Sequence, residues 1–375
     1  MLVAKSMVSL AAVDLTPYAT ASYEHQSNPF NLSSDSQSTA RFADSLLLLR
    51  AGLDARIGSP RQALVAVAEI RRFDYRDLVF LGRTEEMLDG SYQWTLTSLV
   101  DGSVGYRHER RMVPFDELAG SREQLMETED AGAASLNLSS RNGWRLESRV
   151  KASDLASPRP GVAGLTLRET SIHEEVRRQL KTLSVGLDGE YLSGSYKGAA
   201  QPLTPHYRQT SVLLAGERRI AGFTSFEFGV GHTRRNDSAG AGVSAFSGLL
   251  SYKRELTSKT AVEASLTRAV NSYLTTAGSE IDTGLALQIA WQPTVKLQVA
   301  SAFKVIHSTF PGQPFDSGSS RRDRYRIVTL DIRYQVFDWL ALHPYARGAL
   351  RSSSVPSLGF NANAVGLELV FKESK

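Results

Sequence analysis

The feature that most constrains this 375-residue sequence is a repeated pair of alternating segments. Within each segment apolar residues occupy every second position, and a polar loop joins the two segments of a pair. A short turn leads to the next pair, and such turns recur about every 40 residues. Because successive side chains of a β-strand point to opposite faces, the pattern predicts antiparallel strands with one apolar and one polar face.

Turns and loops alternate along the whole chain, so the strands can be counted. Short turns are predicted at 58–61, 96–98, 139–143, 179–182, 218–222, 256–259, 292–295 and 337–340. Longer polar loops are predicted at 26–37, 74–82, 112–123, 155–165, 195–205, 234–240, 273–279, 308–322 and 353–359. Eight turns and nine loops require about eighteen strands and place both chain ends on the short-turn side, as in bacterial outer-membrane barrels.

The segment 324–336 illustrates the alternation and its length. One face carries Val328, Leu330, Ile332, Tyr334 and Val336, and the other carries Thr329, Asp331, Arg333 and Gln335. Segments of this length exceed the usual strand of about five or six residues and suit a tilted membrane crossing of about 9 to 11 residues. We therefore predict an all-β fold, a transmembrane antiparallel up-and-down β-barrel of about 18 strands in a Gram-negative outer membrane.

Other architectures fit the sequence less well. The longest apolar runs, 46–49 and 63–68, are far too short for a membrane-spanning helix. A soluble β-propeller also repeats at about 40 to 45 residues, but each blade needs four short strands. Each repeat here contains two long ones.

No linker divides the chain into compact units. Residues 1–13 contain a lysine followed by a short apolar stretch, and we interpret them as a possible signal-peptide remnant. Residues 14–371 are predicted to form a single outer-membrane β-barrel, and 372–375 a C-terminal tail. The last alternating segment ends at Phe371, as expected for a closing strand with a terminal aromatic residue.

Aromatic residues gather near the predicted strand ends, where the two membrane interfaces would lie. Four tryptophans lie within a few residues of short turns and are predicted to form a membrane-interface girdle: Trp94, Trp144, Trp291 and Trp339. A second girdle is predicted from tyrosines near the long loops, namely Tyr23, Tyr75, Tyr106, Tyr191, Tyr207, Tyr273 and Tyr325.

Motifs for catalysis or for cofactor binding are not found. The chain has no cysteine, which excludes disulfides, thiolate nucleophiles and thiolate metal sites. His173 is not followed by a second histidine four residues later, and no phosphate-binding glycine loop occurs. We therefore predict no metal, no cofactor, no nucleic-acid partner and no enzymatic activity, with an outer-membrane barrel enzyme as the less favoured alternative because the seven histidines are scattered.

Charged residues on the polar parity of the strands are predicted to line the lumen. They are Arg145, Glu147, Arg149, Lys151, Asp188, Glu190, Glu227, Lys253, Glu263, Asp282, Lys296, Lys304, Asp331 and Arg333. Both signs are present, although the net charge of the chain is +4. A lining of this kind suits a polyhydroxylated or weakly charged solute, whose hydroxyl groups can exchange hydrogen bonds with guanidinium and carboxylate groups in turn.

Several stretches resemble one particular barrel family. The stretches 18–30, 69–75, 92–98 and 104–109 are similar to the EpsL-like outer-membrane β-barrel encoded in exopolysaccharide loci that accompany the exosortase and PEP-CTERM system. The resemblance covers most of the chain but includes no catalytic signature. It implies export of an extracellular or capsular polysaccharide, together with periplasmic and inner-membrane export proteins.

We therefore expect a porin-like channel for polysaccharide export. A general or solute-specific diffusion porin shares every feature except the cargo and is the alternative. Expected partners are outer-membrane lipid and lipopolysaccharide, whose phosphates suit the arginine clusters 107–111, 234–235 and 321–324.

Overall fold

The computed structural model describes residues 12–33, 43–118, 122–159, 162–198, 206–220, 223–238, 242–273, 278–311 and 320–372. Within this part of the chain no helix is long and apolar enough to cross a bilayer. The described residues form eighteen strands, each 13 to 19 residues long. Their bounds are β1 Ala12–Gln26, β2 Asp44–Ser59, β3 Gln62–Tyr75, β4 Arg83–Thr97, β5 Val100–Met112, β6 Met126–Ser139, β7 Trp144–Arg159, β8 Val162–Leu180, β9 Leu183–Lys197, β10 His206–Ile220, β11 Thr224–Asp237, β12 Val243–Thr257, β13 Thr260–Tyr273, β14 Gly278–Thr294, β15 Leu297–Phe310, β16 Arg321–Phe337, β17 Leu340–Ser353 and β18 Phe360–Lys372.

Each strand pairs antiparallel with the strand before and after it, and β1 also pairs with β18. The closing register joins Tyr18 to Lys372 and Gln26 to Ala364. The sheet therefore has no free edge, which is the condition for placing strands in hydrocarbon. The predicted all-β, up-and-down barrel of about 18 strands is confirmed.

The outer surface of the barrel is apolar. On β2, for example, Leu47, Leu49, Leu53 and Ile57 are all exposed at alternate positions. Large apolar side chains of this kind recur around the barrel and form a band that is stable only against lipid. The protein is a Gram-negative outer-membrane barrel, with polar side chains of the other parity facing the lumen.

Strand bounds differ from the predicted ones mainly at the loop end. The predicted loop at 155–165 is wrong, because β7 continues to Arg159 and β8 begins at Val162. The alternation of short turns and longer loops placed a loop there, but both strands extend through most of it, and a register shift between Ser157 and Arg159 takes Pro158 out of the ladder. β1 begins at Ala12 and β18 ends at Lys372, slightly beyond the predicted barrel bounds of 14 and 371. The rest of the predicted signal remnant and tail, and parts of several predicted loops, lie outside the described residues.

The aromatic residues follow the predictions only in part. Trp94 and Trp144 lie near the turn-end termini of β4 and β7, Trp291 lies near that of β14, and Trp339 lies in the turn before β17. The predicted tyrosine girdle is wrong for Tyr75, Tyr207 and Tyr325. Tyr75 and Tyr207 are buried inside the barrel, and Tyr325 shares their inward parity. Tyr23, Tyr106 and Tyr191 are exposed on the outer surface. The side chain of Tyr273 lies outside the described part.

The topology can be tested with single cysteines, because the natural chain has none. Short turns face the periplasm and longer loops the cell exterior in barrels of this type. Val79, in the loop after β3, is 70% exposed, and Val295, in the turn after β14, is 93% exposed. A membrane-impermeant maleimide should label V79C on intact cells and should label V295C only after the outer membrane is permeabilised. The reverse pattern would invert the orientation of the barrel.

Candidate functional site

The candidate functional site is the lumen of the barrel, and its wall is built from inward-facing charged side chains. Every residue of the predicted lining except Lys296 lies in a strand, on the parity opposite to the exposed apolar side chains. Lys296 is an exposed residue of the turn between β14 and β15. The alternation of apolar and polar residues continues into this turn in the sequence. Turn residues, however, do not alternate between the two faces of the wall, so the alternation does not place Lys296 in the lumen.

Acidic and basic side chains alternate along the wall formed by β3, β4 and β5. Arg71 Nε lies 2.5 Å from Glu69, and the Arg71 guanidinium lies 3.9 Å from both Glu85 and Glu109. Arg107 is bonded to Glu109 at 2.7 Å. The curvature of the barrel brings these inward side chains together across non-adjacent strands. The wall therefore presents paired charges and not a uniform field of one sign.

A second polar group lies on β8 and β9. His173, Glu175 and Asp188 offer ligand atoms within 4.8 Å of one another, close enough to contact one metal ion together. The His173 imidazole lies 3.6 Å from Asp188. Arg177, however, lies 2.5 Å from Glu175 and already compensates its charge. Among the described residues this group could hold a cation, and the ion pair between Arg177 and Glu175 competes with that role.

The tip of the β13–β14 hairpin leaves the wall and folds into the lumen. The β12–β13 ladder stops at Gly248 and Arg268, although β12 extends to Val243 and the hairpin to Tyr273 and Gly278. Beyond that point, Val270 and Ile281 pack on the inner side chains Val243 and Ala245 of β12. The hairpin tip thus covers the inner face of the neighbouring strands and narrows the lumen.

Polar contacts from two other strands, β10 and β11, hold this tip. The buried Arg235 of β11 donates to the Ser272 hydroxyl at 3.0 Å and to the Gly278 carbonyl at 3.2 Å. Its guanidinium lies 3.6 Å above the Tyr207 ring, and Asp237 accepts a bond from it at 3.0 Å. Gln209 of β10 donates to the Val270 carbonyl at 3.3 Å. We call Arg235, Tyr207, Gln209 and Ser272 the hairpin anchor.

Loops on the opposite side also fold inward. Nine buried residues from β2, β3 and the loops after β1, β3 and β5 form one apolar cluster: Phe30, Leu32, Leu46, Tyr75, Leu78, Leu81, Val113, Phe115 and Leu118. The Phe30 and Phe115 rings meet edge to face with centroids 5.0 Å apart. Asp44 accepts bonds from the backbone of Asp77 and Leu78 and fastens the second loop. The lumen is therefore narrowed at the loop end from two sides.

A cavity of about 540 Å³ lies between these loops and the inner faces of β16 to β18. We call it the mouth cavity. Aromatic residues in its lining are Tyr75, Phe115, Tyr325 and Phe360, and polar ones include Glu24, Gln26, Asn28, Arg83, Arg347 and Asn363. Flat apolar rings beside hydrogen-bonding groups are typical of small-molecule sites, which have volumes of about 300 to 1,000 Å³.

Neighbouring contacts fix the shape of the mouth cavity. Asn28 donates to the carbonyls of Leu32 and Asn361, which ties the first loop to the start of β18. Tyr345 donates to Glu24 at 2.7 Å, which orients that carboxylate. The Arg351 guanidinium lies 5.1 Å from the Tyr325 ring centroid. Alternation along the strands does not predict this cavity, because its lining comes from loops and from strands at both ends of the sequence.

Comparisons with known proteins agree on the fold. No protein-family model matches the chain, and no curated protein sequence matches it. Among solved structures, it is similar to OccK2 (OpdF) of Pseudomonas aeruginosa, with a TM-score of 0.55 and 12% identity over 96% of this chain and 99% of that chain. OpdK of the same organism, solved with vanillate, has a TM-score of 0.53 at 10% identity over 96% and 98%. The copper transporter OprC has a TM-score of 0.52 at 14% identity. The match includes 92% of this chain but only 62% of the OprC chain.

Proposed function

We propose that this barrel is a porin-like channel through which an extracellular or capsular polysaccharide leaves the cell. Similarity to outer-membrane porins supports the architecture of a channel. The mouth cavity is the observation that supports a polysaccharide as the cargo. Its Tyr325 and Phe360 rings pack edge to face with centroids 6.4 Å apart, and the apolar surface that they contribute to the cavity lining suits the C–H face of a sugar ring.

The polar groups of the mouth cavity suit the hydroxyl groups of the same ligand. Glu24 accepts hydrogen bonds, Arg347 donates them, and Gln26 can do both. Several charges lower in the lumen are paired, such as Arg71 with Glu69 and Arg149 with Glu147, and both signs line the wall, so a neutral or weakly charged polymer can exchange partners along the wall without being held by one strong field. The sequence resemblance to the EpsL-like family supports the same cargo.

The proposal includes partners. A polymer made inside the cell must be handed to the barrel by periplasmic and inner-membrane export proteins. Outward arginines at the loop end, such as Arg234 on β11 and Arg324 and Arg326 on β16, lie where lipopolysaccharide phosphates would meet them. Passage through the lumen requires no enzymatic step, cofactor or nucleic acid.

A solute-specific diffusion porin is the second candidate. The volume of the mouth cavity, about 540 Å³, is also that of a site for one small molecule. The two functions differ in the ligand that should occupy it. An oligosaccharide would be favoured in the first case, and a small aromatic or carboxylate solute in the second.

Single-channel recording in planar bilayers tests the proposal. Neutral oligosaccharides added on the loop side should block the current, and Y325A should weaken this block about tenfold, which corresponds to about 1.4 kcal/mol. Y334A is the matched control, because Tyr334 lies on the same strand but faces outward. A barrel that does not conduct would contradict both candidates. Equal block in Y325A and Y334A, with vanillate blocking instead, would favour the solute porin.

A further inference from the structure

Two neighbouring strands separate at the loop end although both continue. The ladder between β12 and β13 ends at Gly248 and Arg268. Beyond it, β12 includes residues 243–247 and β13 includes residues 269–273. β11 still pairs with the first of these segments, and β14 still pairs with the second. The two segments are equally long, so the register of the ladder, if it continued, would set them opposite each other from end to end.

Side chains supply hydrogen bonds to both segments at the place where that ladder would form. Arg268 Nε donates to the Phe246 carbonyl at 3.1 Å. Gln209 Nε2 donates to the Val270 carbonyl at 3.3 Å. The continued register would set Phe246 directly opposite Val270, and the backbone carbonyls of strands need such partners. The side chains therefore serve the carbonyls of two residues that a complete ladder would pair.

The inward position of the hairpin tip leaves one buried polar atom unsatisfied. Gln209 is 6% exposed, and no protein group in the described part of the chain donates to its Oε1. Such a group raises the free energy of the arrangement that buries it. If 269–273 instead paired with β12 in the wall, Gln209 would face the lumen, which is hydrated in barrels of this size. This atom therefore narrows the free-energy gap between the inward position and pairing in the wall.

The side-chain pattern suits both positions. Val270 and Ile281 continue the apolar parity that faces lipid lower on β13 and β14. In the wall they would extend the lipid-facing band, and in the inward position they pack on Val243 and Ala245. Asn271 has the opposite parity and would face the lumen from the wall. The sequence therefore provides apolar surface for two arrangements of one hairpin.

We infer that residues 269–273 and 278–281 form a gate that moves between two positions. In the inward position, which the structure shows, the hairpin anchor holds them across part of the lumen. In the second position 269–273 pair with 243–247, which completes the wall and widens the lumen. One set of hydrogen bonds replaces the other, and packed elements of this kind have discrete arrangements and not a continuous range. The inference does not depend on which solute passes.

A pair of cysteines can trap the second position, because the natural chain has none. The continued register sets Ala245 opposite Asn271, and opposite residues have Cβ atoms about 4.5 to 5.5 Å apart, which a disulfide can bridge after a small adjustment. In the inward position Asn271 points away from β12, because its neighbour Val270 packs on that strand. Oxidation of A245C/N271C in outer membranes should therefore form an intrachain disulfide and raise the single-channel conductance at least about twofold, and reduction should reverse both changes.

A261C/A290C is the matched control, because these inward alanines of β13 and β14 are already paired in register. Its disulfide should form without a change in conductance. Thiols that stay reduced in A245C/N271C while the control is oxidised, or a disulfide that leaves the current of a conducting channel unchanged, would overturn the inference.

Removal of one contact of the inward position should favour the second position. In the A245C/N271C background, Q209A should speed disulfide formation about fivefold, as expected for the loss of one hydrogen bond. R254A, at an outward arginine near the turn end of β12, should leave the rate unchanged. Heat-modifiable gel migration monitors folding of each variant. An equal rate in folded Q209A and R254A would contradict the gate. A barrel that never conducts would contradict the proposed channel instead, since the rate of disulfide formation is measured without current.

Discussion

Replacement of Arg235 by alanine is expected to free the inward tip of the β13–β14 hairpin and to destabilise the barrel. Arg235 has no exposed surface and bonds to Asp237, Ser272 and the Gly278 carbonyl. Its removal leaves the carboxylate of Asp237, itself almost fully buried, without its ion-pair partner. Losing one member of a buried pair typically costs about 3 to 5 kcal/mol. R235A should therefore lower the unfolding midpoint in detergent and raise single-channel conductance, because the released tip no longer narrows the lumen.

The adjacent arginine provides a matched control. Arg234 faces outward, and its Nε donates to Asn236 at 3.2 Å on the exposed surface. R234A changes the same net charge one residue away and should leave both the midpoint and the conductance close to those of the natural protein. If R235A and R234A behave alike, the hairpin anchor does not hold the tip.

The strands and their number could be predicted because one physical rule governs all of them. Lipid accepts only apolar side chains and the lumen only hydrated ones, so both faces of each strand are marked in the sequence. The rule fails where the chain extends beyond the membrane. A loop was predicted at 155–165, but inside the barrel Leu165 and Leu167 pack against Tyr196 and Tyr207, which keeps β8 ordered.

The inward hairpin could not be predicted, because its alternation is the same as that of a wall strand. Val270 and Ile281 continue the apolar parity of their strands, and only the loss of pairing with β12 shows that this parity now faces a neighbouring strand instead of lipid. Tyr207 and Tyr325 were assigned to an interface girdle for a similar reason. Their distance from the loops was correct, but the side of the wall on which they lie follows from register.

The mouth cavity depends on contacts between distant parts of the sequence. Asn28 bonds to the carbonyl of Asn361, and Phe115 lies in the same lining as Tyr325. Closure of the barrel by β1 and β18 brings these residues together, and alternation within a strand carries no information about them. The charged residues that line the lumen could be predicted from alternation along the strands, whereas the aromatic residues that suggest a cargo could not.

Substitution of Asp323 should be the most damaging change on the β16 side of the barrel. Asp323 is 1% exposed, and its carboxylate accepts bonds from Arg321 at 2.6 Å, Arg351 at 2.7 Å and the Ser353 hydroxyl at 2.6 Å. D323A leaves two buried guanidinium groups close together without the carboxylate that compensates them. A loss of about 3 to 5 kcal/mol is expected, since breaking a buried ion pair leaves an uncompensated charge.

The control for Asp323 lies on the same strand and the same face. Asp331 also points inward, but its side chain is 42% exposed and lies 3.5 Å from the His343 ring. D331A should cost less than about 1 kcal/mol, as for exposed pairs. Denaturant unfolding in detergent micelles, followed by heat-modifiable gel migration, measures both variants. D323N, which keeps the shape of the side chain but removes its charge, should lie between D323A and the natural protein, because its amide oxygen still accepts one of the three bonds. A D323A barrel as stable as D331A would mean that Arg321 and Arg351 find water once the carboxylate is gone, and that this end of β16 is more hydrated than its burial indicates.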